Sequence, residues 1–462
     1  MKNSCDRKIA GLLLLSLTSG GCAVQTELSA TAPLRKNDAL VIWWERGYYA
    51  QEDGAIRTVI DRWEAKTGNS VELSLLDQDV VLRETQNALQ TGQIPDIVLS
   101  YEGSYTFIPT WAWNGQLADV SSVTDSLKDS YSDSALKSAE LYNNVAQTQT
   151  AYAVPLKQHT IHIHYWRDLL AKAGFNEADI PTEWNAFWNF WKQAQDRLHA
   201  QGQTDIYGLG LAMSREASDT FANFNQVLEA FDVRLLDNNG DLLVDNPQVR
   251  QQITAALDWY TQFYKEGYVP TDATDWIDSS NNIAFLNRKL LMVVNPTLSI
   301  PGSQREDDQD LYLNQLATIE FPNEPDGESP TYVVNVPQLV VLAKSPNQEM
   351  AKNFITYLMQ PDNLAPYLEG SLGRFFPVMP ELATAPFWNN PADPHIFMGT
   401  QQFQTGTTRA GYHSLSPAYS EVDIQNIWGQ AIESVVIDHV SPEEATDEAL
   451  LRIQAIFADW KR

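Results

Sequence analysis

The sequence predicts an α/β protein of two lobes, and three observations predict it. From residue 39 onward, buried-strand runs alternate with amphipathic helical runs, the pattern of a parallel sheet with crossover helices. The chain has 462 residues, enough for two such lobes. Its two cysteines are Cys5 and Cys22, so beyond residue 22 no disulfide can stand in for a hydrophobic core.

The chain opens on Lys2, Arg7 and Lys8, an apolar run over 9–17, and Ser19-Gly20-Gly21 before Cys22. A basic segment, a short apolar run and small residues make a secretory signal. The run is too short to span a bilayer. A Cys directly after small residues resembles the bacterial lipoprotein box, where cleavage before the Cys leaves its thiol to carry lipid. Ser19 stands where that box usually has Leu. The expectation is a signal over 1–21, lipidation at Cys22 and a flexible tether over 22–38.

Residues 39–44 read as a buried strand, and 54–67 as a helix with Ile56, Val59, Ile60 and Trp63 on one face. Gly68 stops that helix. A strand over 70–76, a helix over 80–89 and a strand over 95–99 follow. Residues 152–165 form an extended run, and 167–173 a helix. In 182–199 Thr182 can cap, and Trp184, Phe187, Trp188 and Trp191 share a face. Residues 235–243 read as a hairpin around Asn239-Gly240. After it come a helix over 248–264, a strand over 290–294, a strand region over 332–343 and a helix over 347–359. Two long helices, 423–438 and 442–460, end the chain.

Charge excludes some functions. The chain carries a formal −28, and the leader holds Lys2, Arg7 and Lys8 against Asp6, so its removal leaves about −30. Such a chain is a poor partner for nucleic acid or anionic membrane surfaces. Its 14 Trp, 18 Tyr and 17 Phe fill cores, and they also suit a site that stacks on flat apolar faces.

No P-loop, Gly-x-Gly-x-x-Gly, Gly-x-Ser-x-Gly or cysteine nucleophile is present, and no cofactor is implied. Residues 237–241 resemble a calcium loop, but Leu242 and Gln248 stand where its Gly and bidentate Glu belong. His162 and His164 share a strand face opposite His159, with no third and fourth ligand nearby, so no metal site is expected. Ligands of open α/β sheets bind beyond the carboxyl ends of strands. Three clusters sit there: Glu45-Arg46-Gly47-Tyr48-Tyr49, Asp77-Gln78-Asp79 and Tyr101-Glu102-Gly103-Ser104-Tyr105. Carboxylates and amides hold hydroxyls while rings cover an apolar sugar face, so the mixture fits a polyhydroxylated ligand.

Several segments, in order, resemble the sugar-binding, maltose-binding-like class of extracellular solute-binding proteins of ABC importers. They include Leu40-Val41-Ile42-Trp43-Trp44, Trp63-Glu64-Ala65-Lys66-Thr67-Gly68, Gln90-Thr91-Gly92-Gln93-Ile94-Pro95-Asp96-Ile97-Val98, Gly115-Gln116-Leu117-Ala118-Asp119-Val120 and Tyr152-Ala153-Val154-Pro155. Ser345-Pro346-Asn347-Gln348-Glu349-Met350-Ala351-Lys352-Asn353-Phe354 completes the set. The resemblance spans roughly 39–460. It implies a type II periplasmic-binding-protein-like fold: two α/β lobes, a hinge and a ligand cleft between them. Lobe 1 would take 39–155 and 330–367, and lobe 2 would take 156–329 and 368–462, with chain crossings near 155–156, 325–330 and 366–374. It further implies a monomer that closes on its ligand and presents it to a permease with ATPase subunits, catalysing nothing itself.

Carried over by position, the first-lobe ligand candidates are Glu45, Arg46, Tyr48, Asp77, Gln78, Tyr101 and Glu102. From the second lobe and crossings come His159, Trp276, Asn295, Asn335, Arg374 and Phe375, with Arg409 and Trp428 behind them. The chain reads Asn295-Pro296-Thr297-Leu298 where the family carries Asn-Gly-Pro-Trp. A stacking ring must therefore come from elsewhere, or the ligand is smaller. A neutral sugar, polyol or glucosylglycerol-like solute is the first reading. A glycerol phosphate held by Arg46, Lys157 and Arg374 is the second, and an exported carbohydrate-active enzyme using Glu45 or Glu102 the third.

Overall fold

The structure is a computed structural model that describes residues 39–460. The expected signal 1–21, the lipidation site Cys22 and the tether 22–38 lie outside the described residues.

The first strand, Ala39–Glu45, is buried along its whole length because it is covered on both faces. Leu40, Ile42 and Trp44 pack into one apolar cluster, and Val41 and Trp43 into another on the opposite face. Helix Ala50–Thr67 carries the chain to Ser70–Leu76, and helix Gln78–Thr91 leads on to Ile97–Ser100. Both strands pair in parallel with the first. Gly68 and Gly92 end the two helices in the left-handed conformation, at φ of 74° and 83°. Gln338–Val341 and Val154–Pro155 complete a five-stranded sheet.

The second sheet runs Leu316–Ile319, His162–Trp166, Leu290–Asn295, Tyr207–Gly210. Its core is aromatic. Helix Trp184–Ala200 buries Trp184, Trp188 and Trp191, and Trp166 stacks on Phe285 with centroids 4.8 Å apart. Glu183, not Thr182, caps that helix by accepting from the Asn185 and Ala186 N–H groups.

Three chain segments lie side by side between the sheets. His159 and Asn335 exchange backbone hydrogen bonds of 3.0 Å each, and Gln158 and Phe376 exchange bonds of 2.9 and 2.8 Å. The run expected over 332–343 is two strands. Thr331–Val334 pairs with Thr407–Ala410 and is held by the Gln226 side chain, and Gln338–Val341 enters the first sheet. Pro337, which has no N–H to give a ladder, separates them. The helix expected over 423–438 is also broken. Asn426 sits at φ 42° between Pro417–Ile424 and Ile427–Val436, and its side chain accepts from Gly429 N–H to cap the second piece. Residues 235–243 do form the hairpin, with Gly240 at φ 82°.

Candidate functional site

The carboxyl ends of the first-lobe strands, the chain crossings and the near face of the second lobe enclose a cavity of about 480 Å³. The first lobe lines it with Tyr48, Gln78, Tyr101, Glu102 and Tyr105. Opposite them stand Asp219, Asp278, Asn282 and Asn295, and the crossings supply His159, Arg374 and Phe375. Through Tyr105, His159, Ser218, Asp219 and Pro296 the cavity continues into an inner chamber of about 60 Å³, which Asn335 and Arg409 also line.

Aromatic rings make the hinge side of the cavity. Tyr101 and Phe375 lie 5.0 Å apart, and His159 meets Phe375 edge-on at 5.5 Å. The Arg374 guanidinium lies 4.7 Å from the Phe375 centroid and 5.0 Å from that of Tyr48. It forms no ion pair among the described residues, so its charge is available to the cavity, balanced at longer range by Glu45 and Glu52.

Behind these rings sits a buried ion pair. Lys157, 0% exposed, contacts Glu52, donates to the Tyr101 hydroxyl at 2.8 Å, and lies 4.1 Å from the centroids of both Tyr101 and Phe375. The Tyr101 hydroxyl in turn donates to Glu52 at 2.6 Å. Burial alone would raise Glu52, but Lys157, with Arg374 beyond it, outweighs burial and holds the carboxyl below its ordinary value. A charged pair thus fixes two rings of the cavity wall from behind.

Glu45 does not line the cavity. It is buried behind Tyr101, accepting from that residue's N–H at 2.7 Å and from the Ser100 hydroxyl at 3.1 Å, and burial raises it to about 7. Arg46 and Asp77 form a 3.0 Å ion pair on the exposed rim, away from the cavity lining. Trp276 lies in a separate open groove of about 950 Å³ with Asp272, Ile283 and Lys289. Trp428 is buried in the second-lobe core. Asn295 is held in place by Asn282, to whose side-chain oxygen it donates at 2.6 Å. The three strand-end carboxylates Glu45, Asp77 and Glu102 therefore occupy three different settings: core, rim and cavity. His162 and His164 do not reach the cavity; they are buried against Gln402 and Thr318.

Sequence reasoning missed Glu52, Asp219, Asp278, Asn282, His413 and Asp423. The strand-end rule was the available signal. Applied to Tyr207–Gly210 it points at the following loop and at the start of helix Ser218–Ala230, which carries Asp219.

Residues 58–397 match the family of bacterial extracellular solute-binding proteins. The chain belongs to that family. YcjN of Escherichia coli K12, an ABC transporter periplasmic-binding protein by name, is 22% identical over 391 residues, 82% of this chain and 81% of its own. An ABC transporter solute-binding protein from Thermotoga lettingae TMO, crystallised with α-D-tagatose, superposes with a TM-score of 0.72 at 22% identity, over 91% of this chain and 99% of that one. UgpB from Mycobacterium tuberculosis, in complex with glycerophosphocholine, gives 0.70 at 20% identity, over 91% and 98%. These likenesses establish the fold of this solute-binding protein as the type II arrangement, two α/β lobes about a hinge with the cleft between them. The family is one of transport proteins.

Proposed function

We propose that this solute-binding protein receives a sugar or sugar-like solute in the interlobe cleft and, closed around it, presents it to an ABC permease. The observation that carries the reading is the cavity of about 480 Å³, within the range of about 300–1,000 Å³ usual for small-molecule sites. Its rings can cover the apolar face of a sugar, and its carboxyls and amides can hold hydroxyls. A small anion fits less well: Glu102, Asp219 and Asp278 face the cavity against Arg374, the one Lys or Arg among the described lining residues. Closure needs a ligand that binds the closed form better than the open one, and a cleft lined from both lobes gives that difference. The protein is exported and, in this reading, held to the membrane by lipid on Cys22.

A thermal-shift screen against sugars, polyols and glycerol phosphates tests this. A ligand at a hundred times its dissociation constant adds about 2.7 kcal/mol. At about 2.1 cal/mol/K per residue, a chain of 462 residues then shifts by about 3 °C. A shift with sugars or polyols is expected. A shift confined to phosphate esters would overturn the reading.

A further inference from the structure

Among the described residues that line the cavity, carboxyls outnumber the one arginine, Arg374. Glu102 comes from the first lobe; Asp219, Asp278 and Asp423 come from the second. Glu102 accepts from the Gln78 amide at 2.9 Å, Asp219 from the Asn281 amide at 2.6 Å, and Asp278 from the Ser218 N–H at 2.6 Å. The Asp423 carboxyl has no hydrogen-bond partner among the described residues. None of the four has a cation as partner there. Arg409, which lines the same chamber, is already engaged by Glu229 at 2.6 Å. Glu102 acts electrostatically on Asp423 and Asp278 on Glu102, so the two lobes face each other here with carboxyls of like sign.

A second, independent observation points to the same place. His413 is 6% exposed and lines the inner chamber, yet its ring nitrogens have no hydrogen-bond partner among the described residues. Burial holds the ring neutral, its value lowered to about 4, so it keeps one nitrogen free to accept. The Tyr105 hydroxyl beside it is likewise without a partner among the described residues, the two rings lying 6.2 Å apart. A buried polar group left unpaired costs free energy that a bound ligand can recover. The chamber, about 60 Å³, has room for a small polar group.

We propose that the inner chamber is the subsite for a protonated amino group, so that the solute is polyhydroxylated and carries an amine. The ammonium would meet Asp423 and Asp219 and donate to the free nitrogen of His413, while the rest of the molecule fills the outer cavity against Tyr101 and Phe375. The cation then supplies what closure lacks, a charge that makes the approach of Glu102 to Asp278 and Asp423 favourable. The inference rests on the cleft being the solute site.

The test uses molecules that share a skeleton and differ in charge: glucosamine against N-acetylglucosamine and glucose, and the disaccharide of glucosamine against its diacetylated form. Titration calorimetry at pH 6.5, where the amine is protonated, is expected to show the amine binding about tenfold or more tighter than its acetylated partner. Asp423→Asn should erase that preference while raising the thermal midpoint of the ligand-free protein, because it removes a half-buried acid without a hydrogen-bond partner among the described residues. That opposite movement of binding and stability is one that a merely structural Asp423 would not give. Neutral sugars binding as well as the amines would overturn the inference and leave the sugar-binding reading standing. No binding by any member, charged or neutral, would overturn both.

Discussion

Glu45 shows how a single side chain can mislead and still matter. It stands at a strand end, where a ligand carboxylate belongs, but its oxygen is spent on Tyr101 N–H and the Ser100 hydroxyl. Burial, the largest influence on it, raises it from 4.5 to about 7. Its protonated form is favoured in the fold, so the stability that form confers is present below pH 4.5 and is lost as pH rises through about 7. Glu45→Gln keeps an acceptor and removes the charge. Its advantage over the natural protein should be near zero at pH 5 and grow to about 3 kcal/mol by pH 8, at about 1.36 kcal/mol per unit. Urea unfolding at the two pH values checks this, and a constant difference would mean that Glu45 is ionised throughout. The sequence could place Glu45, Arg46 and Asp77 at strand ends but not rank them. Whether a strand-end residue faces the cavity, the rim or the core depends on the partners that long-range packing brings to it, such as Asp77 to Arg46.

Among elements, the first strand-helix units were legible because each carries its own period and its own stop, as at Gly68 and Gly92. Two stretches, a strand region and a helix in the sequence, each hold a break that is not visible locally. Residues 332–343 look like one apolar run, and only pairing reveals that its halves serve different sheets. In 423–438 the break is a backbone twist at Asn426, and its cause is the carbonyl of Arg215, 211 residues away, which accepts from the Asn426 amide. One element contact has a direct bearing on closure. Tyr49, just before the first helix, donates its hydroxyl to the Ser299 carbonyl at 2.9 Å, across from first lobe to second. It lies so close to Gly302 that a Cβ there would stand 2.5 Å from the hydroxyl oxygen. Gly302→Val must push Tyr49 away and loosen this rim. The variant should show a larger radius of gyration by small-angle scattering without ligand, and about tenfold weaker binding of whichever sugar the screen identifies. Unchanged dimensions and affinity would mean that the Tyr49 contact plays no part in closure. Tyr49→Phe, which removes only one hydrogen bond, should cost about 1 kcal/mol at most.

For the whole molecule, the buried titratable groups set a pH profile by opposition. Burial lowers His159, His395 and His413 to about 4 and His162 to about 3, and pushes His164 well down. Histidines held neutral in the fold give stability that is present above pH 6.5 and is lost as pH falls through about 4. Burial also raises Glu45 to about 7, lifts Glu102, and drives Asp219 and Asp423 well up. These acids act in the other direction: the stability they give is present below their unfolded values near 4 and is lost as pH rises, in the case of Glu45 through about 7. Between about pH 4.5 and 6.5 the two sets release and take up protons in opposite senses, so their slopes largely cancel. Above 6.5 the histidines contribute no further change and the acids alone remain. The growing repulsion of a chain with formal charge −28 adds to them. Stability should therefore be greatest and nearly flat at mildly acidic pH and decline once the pH rises above about 6.5. Part of that decline should be recovered by salt, which screens the exposed charges but not the buried ones. Urea midpoints from pH 4 to 9 at low and high salt check this. A maximum at pH 8 or above would mean that the cleft acids are ionised in the folded protein, and that closure is driven against their full charge.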